Sequence, residues 1–268
     1  MYFIYGCYAE LGLIMSIKRN DLMQYLNALL QPEKCKDYCP NGLQIEGAEN
    51  INKIVTGVTA SQELIDVAIA EGADAILVHH GYFWRGENEC LTGIKKKRIQ
   101  ALLAHDINLI AYHLPLDNHA ELGNNTQLAK VLGLKIESSL DPKDPSVPGL
   151  IGRLPRPMPA RAFSAWLGEC LKREPLHLGP DPEQIIETIA WCTGGAQGYM
   201  QYAVDAGVDA YLTGEVSEPS HHLAVETQTH FFAAGHHATE RYGAKALGEH
   251  LMDKYDVEVV FKDINNPV

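Results

Sequence analysis

The chain has no stretch approaching the roughly 20 apolar residues that a membrane-spanning helix needs, which excludes a helical anchor. Basic charge is scarce: 22 Lys and Arg stand against 34 Asp and Glu, for a formal net charge of -12. Phosphate neutralisation needs clustered Lys and Arg, so general nucleic-acid binding is excluded too. The one compact basic run, Lys95 to Arg98, reads as a solvated helix face rather than a phosphate-steering patch. Paired cysteines are also missing. The six cysteines, Cys7, Cys35, Cys39, Cys90, Cys170 and Cys192, show no Cys-x-x-Cys spacing, which predicts reduced thiols and a cytoplasmic protein. Cys35 and Cys39 would join a zinc site only with partners that the sequence does not indicate, so they are read as packing or surface thiols. The first fourteen residues, MYFIYGCYAELGLI, lack the charged start and small-residue cleavage site of a secretory signal. They are expected to be a non-essential extension, with Met15 as the functional start.

What is present is a repeated α/β pattern. A chain of 268 residues can bury a sizeable core, as one large α/β domain or two smaller halves. SIKRNDLMQYLNALL reads as an amphipathic helix capped by Ser16. INKIVTGVTA reads as a strand, and residues 61–71 carry Leu64, Ile65, Ala68 and Ile69 at the spacing of one helical face. Gly72 ends that helix and ADAILV forms a second strand, so the unit is β-α-β with parallel strands. Residues 189–212 can be laid without a gap on residues 54–77, matching Gln62 with Gln197, Gly72 with Gly207, Asp74 with Asp209 and Leu77 with Leu212. Between these units lies DPKDPSVPGLIGRLPRPMPARAF, dense in Pro and Gly, the natural boundary. A helix over residues 160–173 follows, with Phe163, Trp166, Leu167 and Leu171 as a core-packing stripe. The expected organisation is an extension at 1–14, an amino-terminal α/β half at 15–140 and a carboxyl-terminal α/β half at 141–268. The two related halves, with partly parallel sheets, would face a shared metal cleft.

The chemistry sits where strands end. Apolar runs at residues 75–78, 109–112 and 231–234 each read as a buried strand, and each is followed by histidine: His79 and His80, His113, and His236. In open α/β sheets the carboxyl ends of strands line the ligand crevice. Asp117 and Glu240 each stand four residues after a histidine, and the two segments echo one another. A set of imidazoles and carboxylates suits divalent transition metals, here two. Successive strand residues point to opposite faces, so His79 and His80 meet one point only if Gly81 breaks the strand; otherwise they serve different metals. His236 and Glu240 lie on one face of the helix that begins there. Pro115 argues against a helix between His113 and Asp117, so a loop is expected to hold that pair. His119 and His237 lack the repeated placement, and His221 and His222 read as a helix face. Glu215 takes the place of His80 in the repeat and is a candidate for substrate contact or proton transfer. Tyr82 and Trp84 are candidates to stack on a base, and Arg85 to meet a phosphate.

The segments PNGLQIEG, IVTGVTAS, ADAILVHHGYFWRG, YHLPLDNHAELGNN, WCTGGAQ, GVDAYLTGEVSE and AAGHHATERYG resemble the Nif-three-like family, dinuclear-metal proteins often called GTP cyclohydrolase I type 2 homologues. The likeness runs from about Ser16 to the carboxyl terminus. It implies that His79, His80, Asp117, His236 and Glu240 bind two divalent ions (Fe, Zn, Mn or Ni), with His113 a further ligand or a group supporting one. It also implies a homo-oligomer, a hexameric ring with metal clefts facing an internal cavity. The expected activity is a metal-dependent hydrolase acting on a nucleotide or related purine compound, in which the ions acidify a water and polarise the group under attack. The alternative is a non-catalytic protein that binds or delivers metal, or binds a nucleotide to regulate a partner.

Overall fold

The computed structural model describes residues 16–144 and 146–268, so the expected extension at 1–14 and Met15 lie outside the described residues. The chain runs β1 (Ile17–Lys18), α1 (Arg19–Leu30), β2 (Gly42–Ile45), β3 (Asn50–Ile51), β4 (Lys53–Thr59), α2 (Gln62–Ala70), β5 (Ala75–His80), α3 (Gly93–Ala104), β6 (Asn108–Ala111), α4 (Leu114–Asp117), α5 (Asn124–Leu132), β7 (Lys135–Ser139) and β8 (Leu150–Pro159). It continues through α6 (Ala160–Leu171), β9 (Leu176–Leu178), β10 (Ile185–Trp191), α7 (Met200–Ala206), β11 (Ala210–Thr213), α8 (Glu218–Glu226), β12 (His230–Ala233), α9 (His236–Lys254) and β13 (Glu258–Phe261).

Two mixed sheets carry the structure, in the order β13-β4-β5-β6-β2 and β7-β8-β10-β11-β12-β9. In the first, β13, β4, β5 and β6 are parallel and β2 is antiparallel. In the second, β10, β11 and β12 are parallel, flanked by antiparallel β8 and β9. The α/β architecture with two partly parallel sheets is the one expected.

The local rules hold in the repeat. Ser61 caps α2, its Oγ accepting the Leu64 N–H at 3.2 Å. Gly72 and Gly207, both at positive φ, turn each chain from helix to strand. Ile54 lies opposite Ala75 in one sheet, and Ile189 opposite Ala210 in the other. Asp74 accepts the N–H groups of Asn52 and Lys53 at 2.7 and 3.0 Å, while Asp209 accepts those of Glu187 and Thr188 at 2.9 and 2.8 Å. Thus the matched acids do the same job: each ties the turn before one strand to the start of its neighbour.

Some local expectations change. Ser16 does not cap α1; Lys18 stands at that position, because Ile17 and Lys18 first pair with β3. In α6, Phe163, Leu167 and Leu171 are buried as expected, but Trp166 is half-exposed and donates its Nε1–H to the Leu132 carbonyl. The run at Lys95 lies on α3: Lys96 and Lys97 are exposed as expected, whereas Lys95 is largely covered and pairs with Glu87 at 3.4 Å.

Neither α5 nor α9 packs within its own half of the chain. Leu128 and Leu132 of α5 pack with Ile189, Trp191 and Leu212 of the second sheet. Ala244, Leu247 and Leu251 of α9 pack with Ile54, Leu77 and Tyr112 beside the first. The two helices also meet each other, and a Cβ on Gly243 would come within 2.5 Å of Asn124 Oδ1. This crossing brings the start of α9 to the carboxyl ends of β4 and β5.

Candidate metal centre

His79 lies at the end of a strand buried on both faces and is itself fully buried. Its Nδ1 donates to the Tyr112 carbonyl at 3.0 Å, which turns Nε2 inward, 3.5 Å from Asp117 Oδ1 and 3.6 Å from Glu240 Oε1. His80 hydrogen-bonds Thr59 through Nδ1 and places Nε2 3.1 Å from Glu240 Oε2. His236 uses the same device. Its Nδ1 donates to Glu215 Oε1 at 2.7 Å, and its Nε2 lies 2.9 Å from Glu240 Oε2. His113 donates from Nδ1 to Asp37 Oδ1 at 2.9 Å. In every case the far ring nitrogen is held, which fixes the orientation of the near one.

The ligand-type atoms of His79, Asp117 and Glu240 form one compact group, and those of His80, His236 and Glu240 form another. Glu240 belongs to both. His79, His80 and His113 form a third group, and Asp37, Cys39 and His113 a fourth. The structure therefore brings all five expected ligands together from both ends of the chain, with His113 alongside.

Local geometry explains how they meet. The neighbouring His79 and His80 rings lie with centroids 4.5 Å apart. After Gly81, the Gln44 side chain clamps the turn, its Oε1 accepting the Tyr82 N–H at 2.7 Å. His113 and Asp117 are not held by a loop as expected: residues 114–117 form a single helical turn. Pro115 sits in the first turn, where its missing N–H has no partner to lose. Gly194, at positive φ, is required for a second reason, since a Cβ there would fall 1.9 Å from Glu240 Oε1.

The electrostatics are those of a charge cluster. Burial disfavours the charged form of His79, yet Asp117 and Glu240 outweigh it and lift its pKa to about 9. Burial likewise opposes the charged form of His236, and its contacts to Glu240 and Glu215 raise its pKa to about 9. Burial dominates at His80, lowering it to about 4. Asp117 is raised, by burial and by the Glu240 charge, whereas the surrounding imidazoles overcome burial and hold Glu240 well below the usual carboxylate range. His79 Nε2, His236 Nε2 and Glu240 Oε2 are all buried with no well-formed hydrogen bond. Imidazole nitrogens and carboxylate oxygens of this kind fit a divalent transition metal.

Other candidates fall into place around the cluster. Glu215 touches it through His236. Trp84 stands with its ring 5.1 Å from His113 and 5.9 Å from His80. Tyr82 turns away: it is buried and donates its hydroxyl to the Ala60 carbonyl at 2.7 Å, a packing role that removes it from base stacking. Arg85 reaches the Asp37 carbonyl at 3.0 Å. His237 pairs with Asp263, and His222 lies on exposed α8 near Glu218. Cys39 lies beside Asp37, and burial pushes its thiol up to about 12. A cleft of about 230 Å³ opens on the cluster, lined by Tyr38, His113, Asp117, Thr193, His236 and Glu240 among others. Asp37, Tyr38, Thr193, Gly194 and Asn124, whose amide donates to Asp117 at 2.9 Å, were not reached by the sequence argument.

A mixed α/β fold with a buried cluster able to hold a metal defines the class. Residues 17–267 match the model of the family Duf34/NIF3 (NGG1p interacting factor 3), and the chain belongs to this family. A relative from Pseudomonas aeruginosa called "GTP cyclohydrolase 1 type 2 homolog" is 52% identical over 253 residues, covering 94% of this chain and all of the relative. The Escherichia coli K12 protein of the same name is 49% identical over 251 residues, again 94% of this chain and all of the relative. Among solved structures, "protein ybgI, unknown function" superposes with a TM-score of 0.90 at 49% identity, covering 94% of this chain and 100% of that one. A Thermus thermophilus protein gives a TM-score of 0.83 at 34% identity with the same coverage. No helix among the described residues is long and apolar enough to cross a membrane.

Proposed function

We propose that this protein is a dinuclear-metal-dependent hydrolase acting on a nucleotide or related purine compound. The observation that carries the reading is the placement of Glu240, whose two oxygens face two separate groups of ligands. His79 and Asp117 would hold one ion and His80 and His236 the other, with Glu240 shared between them. The ligand types accept Fe, Zn, Mn or Ni. Bound there, two divalent ions supply Lewis acidity and lower the pKa of water.

The remaining residues would set up the reaction around that pair. Asp37 fixes the His113 ring at the cleft wall, and Glu215 fixes His236. Tyr38 lines the cleft with Trp84 packed against it, ring centroids 5.6 Å apart, and would offer an aromatic face to a planar base. The names carried by the relatives of about 50% identity are in keeping with a purine substrate. The family likeness further supports a homohexameric ring in solution, which sedimentation measures directly.

The test is turnover. Protein loaded in turn with Mn, Zn and Fe is given GTP, damaged purine nucleotides and simple phosphoesters, and products are followed chromatographically. Metal-dependent turnover of a purine compound is the expected result. Full metal occupancy with no turnover of any compound would overturn the hydrolase reading in favour of a protein that only binds metal.

A further inference from the structure

Beside the first turns of α9, the acidic molecule holds a pair of cations without ion-pair partners among the described residues. A cavity of about 230 Å³ is lined by Lys172, Arg173, His237, Arg241, Asp263 and Asn266 among others. The acid in its wall is already committed: Asp263 takes His237 on one oxygen at 2.7 Å and Arg241 on the other at 3.1 Å. Arg241 also donates to the Leu171 carbonyl at 2.5 Å. The His237 N–H, in the first turn of α9, is taken by the Val268 carbonyl at 2.9 Å, so the helix end is not the attraction.

Arg173 and Lys172 remain. Neither forms an ion pair among the described residues, whereas Arg153, Arg161 and Arg241 of the same half each face a carboxylate. Arg173 Nε is buried and has no hydrogen-bond partner. The side chain lies against Gly235, where a Cβ would fall 2.5 Å from that nitrogen, so the close approach depends on glycine. A buried donor without an acceptor is costly, and a guanidinium fork matches a tetrahedral oxyanion.

We propose that this cavity binds a phosphate-type oxyanion, with Arg173 as the principal contact and Lys172 as a second charge. Its position gives the site a purpose. His237 and Asn266 also line a neighbouring cavity of about 170 Å³ that reaches His80 and His236. A phosphate seated at Arg173 therefore lies next to a cavity whose wall includes two residues of the cluster, His80 and His236. The anion is either free phosphate or the phosphate group of a larger molecule. The inference rests on the side chains around Arg173 and not on hydrolysis.

The experiment is titration of the full-length protein with inorganic phosphate at low ionic strength, by calorimetry, before and after treatment with a chelator. Binding is expected to survive chelation, to weaken at least about tenfold in Arg173→Gln, and to weaken less in Lys172→Gln. It is expected to be unchanged in Arg161→Gln, whose arginine already faces Glu183. Should Arg173→Gln fail to fold, Lys172→Gln on its exposed turn carries the test. A nucleoside monophosphate that binds tighter than phosphate, with the same dependence on Arg173, identifies the larger molecule as the source; equal affinity identifies free phosphate. Binding that vanishes with the chelator and ignores both substitutions places the anion on the metals and overturns the proposal, as does no binding at millimolar phosphate.

Discussion

The β4-α2-β5 unit and the β10-α7-β11 unit are built on the same plan and end differently. Each sets isoleucine opposite alanine across parallel strands, turns through a glycine at positive φ, and uses an aspartate to tie down the start of the neighbouring strand. Where the first unit reaches His79 and His80, the second reaches Gly214 and Glu215. Gly214 carries no side chain, and a Cβ there would meet the His236 backbone at 2.6 Å. Glu215 reaches the cluster only through His236. The scaffold is repeated while the chemistry is not. One unit presents groups able to hold a metal and the other supports the helix that completes the set.

The largest expected effect tests where that asymmetry converges. Glu240→Gln should strip metal from both positions, while Asp117→Asn should leave about half, because only Glu240 is shared. Elemental analysis of protein never exposed to chelator measures this, and equal losses from the two substitutions would break the two-group picture. A second pair of substitutions sharpens the likeness of the scaffolds. Leu77→Ala and Leu212→Ala remove matched, fully buried side chains, and each should cost about 2–5 kcal/mol in denaturant unfolding with metal content retained. A large difference between the two would show that the units are not energetic equivalents. Glu215→Gln should be milder, weakening metal affinity about 10–100-fold without unfolding, as removal of a group that orients a ligand does. Competition with a chelating dye reads the change.

The smallest effect belongs to the second sheet and is invisible at neutral pH. His177 Nε2 and His230 Nδ1 lie 3.0 Å apart. Burial lowers both pKa values, with His230 brought to about 4 by burial and by its neighbour. The folded pair stays neutral where the unfolded chain takes up protons. The pair therefore has no effect on the pH dependence above about pH 6.5, and stability falls as pH drops from there toward 4. Melting temperatures of the protein and of His177→Gln across that range should differ in slope; parallel curves would remove the pair from the account.

The strand-terminal histidines were legible because each follows an apolar run whose length and composition fit a buried strand. The matched turns at Gly72 and Gly207 were legible because a glycine followed by an aspartate has a local cause. Asp37, Thr193 and Asn124 carry no such signal: each comes from a loop or a helix start, and only the crossing of distant segments gives it a partner. Pro115 misled because proline breaks a helix in its interior but not in its first turn. Tyr82 misled because closeness in sequence to His80 does not decide which way a ring points, and the Ala60 carbonyl settles that. The exchange of α5 and α9 between the two halves of the chain was also hidden, since each helix has an apolar face but no mark of which strands it will cover.

That exchange bears on how the polypeptide can be divided. A piece ending at residue 140 would lose the cover that Leu247 and Leu251 give its sheet, along with the edge strand β13. The complementary piece would lose Leu128 and Leu132 from beneath Trp191. Separately produced fragments would thus each expose oily surface, yet mixed together they hold matching halves of one interlock. Split at that point, the molecule would become a reconstitution system in which reassembly and any uptake of metal could be followed at once.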